Sequence, residues 1–229
     1  NFEECMNKKS VFLKYNCIGI LGGTFNPNHN GHIMLAEKAI CQFPEIEKIL
    51  IMPNNKPAYK GNNEIISPKE RIKMLELATL SLDYAEISDI EIKRGGITYS
   101  YDTFKEIYAI NPDIKIYFIV GADSLYTINK WYMYEDVLKM CTLLVAKRKN
   151  GFDEMCSYAE KISKDVSEAR IKFINSPNMD ISSSAIRKYL SGFNDKKSCK
   201  SIEKIERYLE KRVPDEVKKY ILENRLYMS

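Results

Sequence analysis

The feature that most constrains this chain is a repeated pairing: a short run of Ile, Val and Leu, then a stretch with helical spacing. CIGILG (17–22), KILIM (48–52), IKIYFIV (114–120), LLVAK (143–147) and a run at 171–174 read as strands. Continuous rather than alternating apolar runs belong to strands buried on both faces, and the helices between them supply the cover. The expected class is therefore α/β, a Rossmann-like parallel sheet flanked by helices, with a helical C-terminal segment from about residue 181. A helix over 31–42 turns Ile33, Leu35, Ala36 and Ala39 inward. Ser67 caps another that opens at Pro68, carries Glu70 three residues on and runs to about 81, with Ile72, Leu75, Ala78 and Thr79 as its buried stripe. Short alternating runs predict strands at 85–88 and 90–93, then a Gly-Gly turn and a helix from Asp102. A helical stretch carrying Trp131, a charged helix over 153–164 and two terminal helices complete the reading.

Length and charge narrow the classes. The 229 residues are 45% hydrophobic, enough for one sizeable core, so 17–229 is expected to be a single domain behind a loose extension at 1–16. The 35 basic and 31 acidic residues leave a net charge of only +4, too mild for a nucleic-acid polyelectrolyte. No apolar run approaches the roughly 20 residues of a membrane span. The six cysteines are scattered with no C-x-x-C pair, as reduced thiols of an intracellular protein would be. The cytoplasm is the expected compartment, the nucleus being left open, and a homo-oligomer is compatible with the chain.

Both histidines fall in one turn between the first strand and its helix, LGGTFNPNHNGHIML. Ligands of open α/β sheets bind at that kind of place. Gly22 and Gly23 let backbone approach a ligand or take positive φ, and the N–H groups around Thr24 and Phe25 can face an anion at a helix N-terminus. The spacing is neither G-x-G-x-x-G nor a P-loop. Zinc is disfavoured because no cysteine or acid lies at short spacing. Two readings stay level on spacing: His29 and His32 as donors to a polyphosphate, or a loop histidine capping the helix.

A second segment, ISSSAIRKYL, opens a helix with Ser182, Ser183 and Ser184 and brings Arg187 to its start. Hydroxyls, N–H groups and a guanidinium together suggest another anion site, although a serine cap is the common role of such a run. Two such helix starts suit one triphosphate held from both sides.

GGTFNPNHNGH resembles the G-G-T-F-D-P-x-H-x-G-H signature of the nucleotidylyltransferase superfamily, and ISSSAIR resembles its partner I-S-S-T-x-I-R. PNNKPAYK, SPKERIKMLELA, ISDIEIKRGGITYSYDT, YFIVGADSLYTINKW, LLVAKR and VPDEVKKYILENRLY resemble, in order, the bacterial-type nicotinate mononucleotide adenylyltransferases. The likeness runs from about Cys17 to Tyr227. Departures are Asn26 for the usual Asp, Ser184 for Thr, Tyr59 for His and Ser100 for Thr.

The resemblance implies adenylyl transfer from ATP to nicotinate mononucleotide, and possible use of the nicotinamide form, with Mg²⁺ arriving on the nucleotide rather than in a protein metal site. It implies catalytic roles for His29, His32 and Arg187, and ATP or phosphate contacts at Gly22, Gly23, Thr24, Phe25, Gly121, Asp123, Arg148, Ser183 and Ser184. The pyridine nucleotide would meet Lys60, Thr98, Tyr99, Ser100, Trp131 and Tyr132. On residue type alone Asp123 could equally cap the following helix, and Trp131 could be core. The rival readings are another H-x-G-H enzyme, such as a phosphopantetheine adenylyltransferase or a cytidylyltransferase, and a non-catalytic nucleotide sensor. A class I aminoacyl-tRNA synthetase would need a K-M-S-K-S-like loop, which is not visible. No nucleic-acid or membrane partner is expected.

Overall fold

The computed structural model describes residues 11–59, 65–147, 151–177, 180–192 and 199–228, apart from the side chains of residues 199 and 200. In chain order the elements are Val11–Lys14 (α1), Cys17–Gly23 (β1), Asn30–Gln42 (α2), Lys48–Pro53 (β2), Lys56–Pro57 (β3), Pro68–Thr79 (α3) and Ala85–Ile87 (β4). Ile90–Arg94 (α4), Ile97–Thr98 (β5), Ser100–Ile110 (α5), Lys115–Val120 (β6), Ala122–Thr127 (α6), Tyr134–Met140 (α7) and Thr142–Ala146 (β7) follow. Phe152–Asp165 (α8), Arg170–Ile174 (β8), Ser183–Ser191 (α9), Cys199–Leu209 (α10) and Asp215–Glu223 (α11) complete the described chain.

Six strands form one parallel sheet in the order β4-β2-β1-β6-β7-β8, while β3 and β5 make a two-residue parallel pair beside it. From β1 the chain steps outward through β2 to β4, then crosses back to β6 and steps outward the other way. That reversal opens a crevice at the carboxyl ends of β1 and β6.

The apolar runs alternate between two cores. Ile116, Phe118 and Val120 of β6 pack with Phe104, Ile107, Leu125, Val137 and Leu138 on one face. Tyr117 and Ile119 pack with Ala36, Ala39 and Leu75 on the other. A third cluster joins Ile186, Leu190, Leu209, Val217 and Ile221 to Met74 and Ala78 of α3. Each fully buried Ile or Leu stabilises the fold by roughly 1.5–3 kcal/mol, which fastens the C-terminal helices to the sheet layer.

Three expectations change. Residues 11–16 are not a loose extension: Phe12 is 1% exposed in the first core, and Asn111 Nδ2 donates to its carbonyl at 2.8 Å. Residues 1–10 lie outside the described residues. The segment expected as a strand at 90–93 is α4, because the Gly95 N–H closes it onto the carbonyls of Glu91 and Ile92, and Gly95 and Gly96 take φ of 73° and 68°. Its buried residue is the acid Glu91. The stripe of α3 likewise buries Arg71, Met74, Leu75 and Ala78 and leaves Ile72 half-buried. The Ser67 cap holds, its Oγ accepting from the Glu70 N–H at 3.2 Å, but the Glu70 carboxylate takes the Tyr220 hydroxyl at 2.6 Å.

Candidate active site

The crevice widens into a cleft of about 920 Å³. All the site residues expected from the sequence line it, except Lys60 and Arg148, which lie outside the described residues. At its floor β1 ends in Gly22 and Gly23. A Cβ on Gly23 would stand 3.1 Å from the Phe25 ring, and one on Gly22 3.3 Å from the Phe118 ring. A side chain there would crowd both rings. Of the two uses open to these glycines, close approach is the one seen; the positive φ in this turn is at Phe25, 49°, a left-handed conformation that a bulky residue adopts at a cost of roughly 1–3 kcal/mol.

The two histidines act on each other. Their rings stack at 3.7 Å and 23°, and His29 is the N-cap residue of α2. His32 Nδ1 accepts the His29 backbone N–H at 3.1 Å. An Nδ1 that accepts carries no proton, so this bond sets the tautomer with the proton on Nε2. His29 is 8% exposed, and burial lowers its pKa from 6.5 to about 4. It is neutral near pH 7, which avoids two stacked cations. The helix cap and the lining of the cleft therefore fall in one turn.

Helix α9 docks on the same turn across more than 150 residues of chain. Ser182 caps it, accepting from the Ala185 N–H at 3.1 Å. Ser183 Oγ donates to the Pro27 carbonyl at 2.7 Å, and an Arg187 Nη donates to the Asn26 carbonyl at 2.8 Å. Ser184 is exposed to the cleft. Arg187 is the fifth residue of the helix, a position beyond the first turn where the sequence put it. The two anion motifs are thus one wall.

Toward β6, Gly121 is the N-cap residue of α6, so Asp123 does not cap it; Asp123 is exposed on the rim. The far end is aromatic. Tyr59 and Trp131 lie nearly parallel at 6.3 Å and 15°, Tyr99 meets Tyr132 at 5.0 Å, and Tyr59 Oη accepts the Tyr132 N–H at 2.6 Å. Thr98 Oγ1 accepts the Asn55 N–H at 3.1 Å, and Ser100 opens α5. Trp131 is half-buried and edge-on to Phe118, so one part of the ring is core and another faces the cleft.

A family model described as cytidylyltransferase-like matches residues 20–189. The probable nicotinate-nucleotide adenylyltransferase of Lachnoclostridium phytofermentans is 34% identical over 92% of this chain and 98% of its own length. That of Lactococcus lactis is 39% identical over 74% and 80%. The chain belongs to the nicotinate-nucleotide adenylyltransferase family. The fold agrees: a solved structure titled Plasmodium falciparum nicotinic acid mononucleotide adenylyltransferase complexed with NaAD superposes with a TM-score of 0.70 at 21% identity, covering 93% of this chain and 98% of that one.

Two buried charged residues in this adenylyltransferase escaped the sequence reading. Glu91 lines the cleft at 6% exposure, accepts the Thr103 hydroxyl at 2.7 Å, and has its pKa raised by burial to about 7. Arg71 is fully buried, and burial pushes its pKa down. Its Nη atoms donate to the carbonyls of Thr24 at 2.9 Å and Asn54 at 2.7 Å. The departure at Asn26 also gains an account: Asn26 Oδ1 accepts the Tyr227 hydroxyl at 3.0 Å, a bond available to an amide or a carboxylate.

Proposed function

We infer that this chain transfers the adenylyl group of ATP to the 5′-phosphate of nicotinate mononucleotide, giving the dinucleotide and pyrophosphate in NAD biosynthesis. The observation that carries the reading is the single cleft at the strand-order reversal. It has imidazoles, hydroxyls and Arg187 at one end and an aromatic box at the other, in a chain whose full-length relatives carry that name. The binding of NaAD by the Plasmodium protein is in keeping with it.

A phosphate oxygen of the mononucleotide attacks the α-phosphorus of ATP, the bond to the bridging oxygen breaks, and pyrophosphate leaves. This chemistry needs positioning and charge stabilisation rather than a covalent intermediate. The His32 Nε2–H and the N–H groups at Gly23–Phe25 serve the α-phosphate, with His29 beside them. Ser183 through its backbone N–H at the start of α9, the Ser184 hydroxyl and Arg187 hold the departing phosphates. Gly121 and Asp123 take the adenosine ribose, and Arg148 meets the adenine. Lys60 neutralises the mononucleotide phosphate. Thr98, Tyr99, Ser100, Trp131 and Tyr132 surround the pyridine.

Among the described residues no three His, Cys, Asp or Glu side chains group to hold a metal. The donors at the phosphate end suit oxyanions rather than a cation, so the fit is to Mg²⁺ held by phosphate oxygens and water. When bound, it neutralises charge on the leaving pyrophosphate. Among the described residues no helix is long and apolar enough to cross a membrane, and soluble substrates suit a cytoplasmic enzyme. Pyrophosphate release from ATP with nicotinate mononucleotide, nicotinamide mononucleotide or phosphopantetheine as acceptor tests the assignment. Turnover with phosphopantetheine alone would move the chain to another branch of the fold.

A further inference from the structure

Arg71 lies outside the lining of the cleft, yet its guanidinium touches Thr24 and Asn54, which follow β1 and β2 and line it. One Nη donates to the Thr24 carbonyl at 2.9 Å and to the Asn54 carbonyl at 2.7 Å, and the other to the Asn55 carbonyl at 3.4 Å. No described carboxylate bonds to it; the adjacent Glu70 is taken by Tyr220. Its Nε is buried without a partner. An uncompensated buried cation is costly, and a helix position facing the core is more cheaply filled by an apolar residue. A role other than holding α3 in place is therefore indicated.

The geometry supplies one. The Thr24–Phe25 peptide is trans, so its N–H points opposite to its carbonyl. With that carbonyl drawn onto Arg71 behind the loop, the Phe25 N–H is turned away from the guanidinium. The Phe25 N–H has no hydrogen-bond partner among the described residues, and Phe25 is held at φ 49°. The same guanidinium fixes the Asn54 carbonyl. Asn54 is tied to β1 through its own N–H on the Gly23 carbonyl at 3.0 Å, and the next N–H, that of Asn55, holds Thr98 Oγ1 at 3.1 Å. One buried side chain thus sets the phosphate loop and reaches the pyridine end of the cleft.

We propose that Arg71 is a positioning residue for adenylyl transfer: by holding the Thr24 and Asn54 carbonyls it aims the Phe25 N–H at the α-phosphate. It touches no substrate, and it acts through the loop. This rests on the proposed function, so the test has one readout that depends on turnover and one that does not. A donor whose bond strengthens from the ground state to the transition state alters kcat more than ground-state affinity.

In Arg71→Lys, which keeps the charge but not the fork, kcat per folded molecule is expected to fall at least 10-fold, the KM for ATP changing less than 3-fold. Arg71→Met should lose more. The folded fraction is measured by circular dichroism at the assay temperature, so that partial unfolding is not counted as lost catalysis. Independently, the Phe25 amide proton in an ¹⁵N-labelled wild-type protein should move downfield when a non-hydrolysable ATP analogue is added, and this shift should shrink in Arg71→Lys. Loss of kcat only in proportion to the unfolded fraction would make Arg71 a scaffold residue and overturn the proposal. An equal Phe25 shift in wild type and variant would overturn it too. A wild-type protein that shows the shift but no turnover would leave the positioning claim standing and remove the reaction assigned to the site.

Discussion

Glu91→Gln gives the most quantitative test of how the cleft is built. Gln keeps the shape and still accepts the Thr103 hydroxyl that now bonds Glu91 at 2.7 Å. What it removes is the titration. Burial raises the Glu91 pKa from 4.5 to about 7, partly opposed by that hydrogen bond and by Arg94, and reinforced by Glu106, which pairs with Arg94 at 3.2 Å. Between pH 4.5 and about 7 the folded protein keeps a proton that the unfolded chain has released. Folding is then favoured at low pH, and that contribution is lost as pH rises through the window. At 1.36 kcal/mol per pH unit the loss is on the order of 3 kcal/mol, or about 6–12 °C in Tm for a chain of this size. Thermal unfolding of wild type and Glu91→Gln at half-unit steps from pH 4 to 8 reads it directly. The variant should gain on wild type through the window and hold a constant lead above pH 7. A Tm difference that stays flat across the whole range would show that Glu91 does not titrate there, and the account of its burial would be wrong.

Other consequences follow from the same geometry. His32→Ala should lower kcat by roughly 10²–10³-fold, the loss typical of a transition-state donor, and a variant keeping a third of wild-type kcat would remove His32 from the mechanism. Arg187→Lys should reduce kcat/KM for ATP about 10-fold or more, because lysine cannot hold the Asn26 carbonyl and a phosphate with one fork; unchanged kinetics would leave it a structural tie only. The acid mononucleotide should be preferred over the amide by about 10-fold in kcat/KM, since donors bind a carboxylate about twice as strongly as a neutral oxygen. Equal kcat/KM values for acid and amide would sink the assignment of the acid.

The sheet was legible because its information is local. IKIYFIV and KILIM are apolar but for Lys115 and Lys48, and such runs suit a strand covered on both faces. The turn around His29 and His32 was legible for the same reason: glycines, both histidines and a helix start lie within a few residues. What stayed hidden depends on contacts distant in sequence. Arg71 on an otherwise amphipathic helix reads as a solvated charge, and its carbonyl partners at Thr24 and Asn54 are reached only through the fold. Glu91 in an alternating I-E-I-K pattern reads as the outward face of a strand, until Gly95 closes the segment into a helix and turns the acid inward. Phe12 sat in a polar opening whose composition gave no sign that the first core extends over it. Of the two readings that spacing left level for His29 and His32, the fold shows the cap directly, with His32 Nδ1 accepting the His29 N–H.

Adenylyl transfer in one cleft, from ATP to a pyridine mononucleotide, is the reaction on which the roles above rest. Its most direct test is the reaction of purified protein with ATP, Mg²⁺ and nicotinate mononucleotide, following pyrophosphate and the dinucleotide by chromatography. The two products should appear in equal amounts, with turnover in the common range of roughly 1–10³ per second, and neither should form when the mononucleotide is omitted. ATP binding without dinucleotide formation, for either the acid or the amide acceptor, would contradict it.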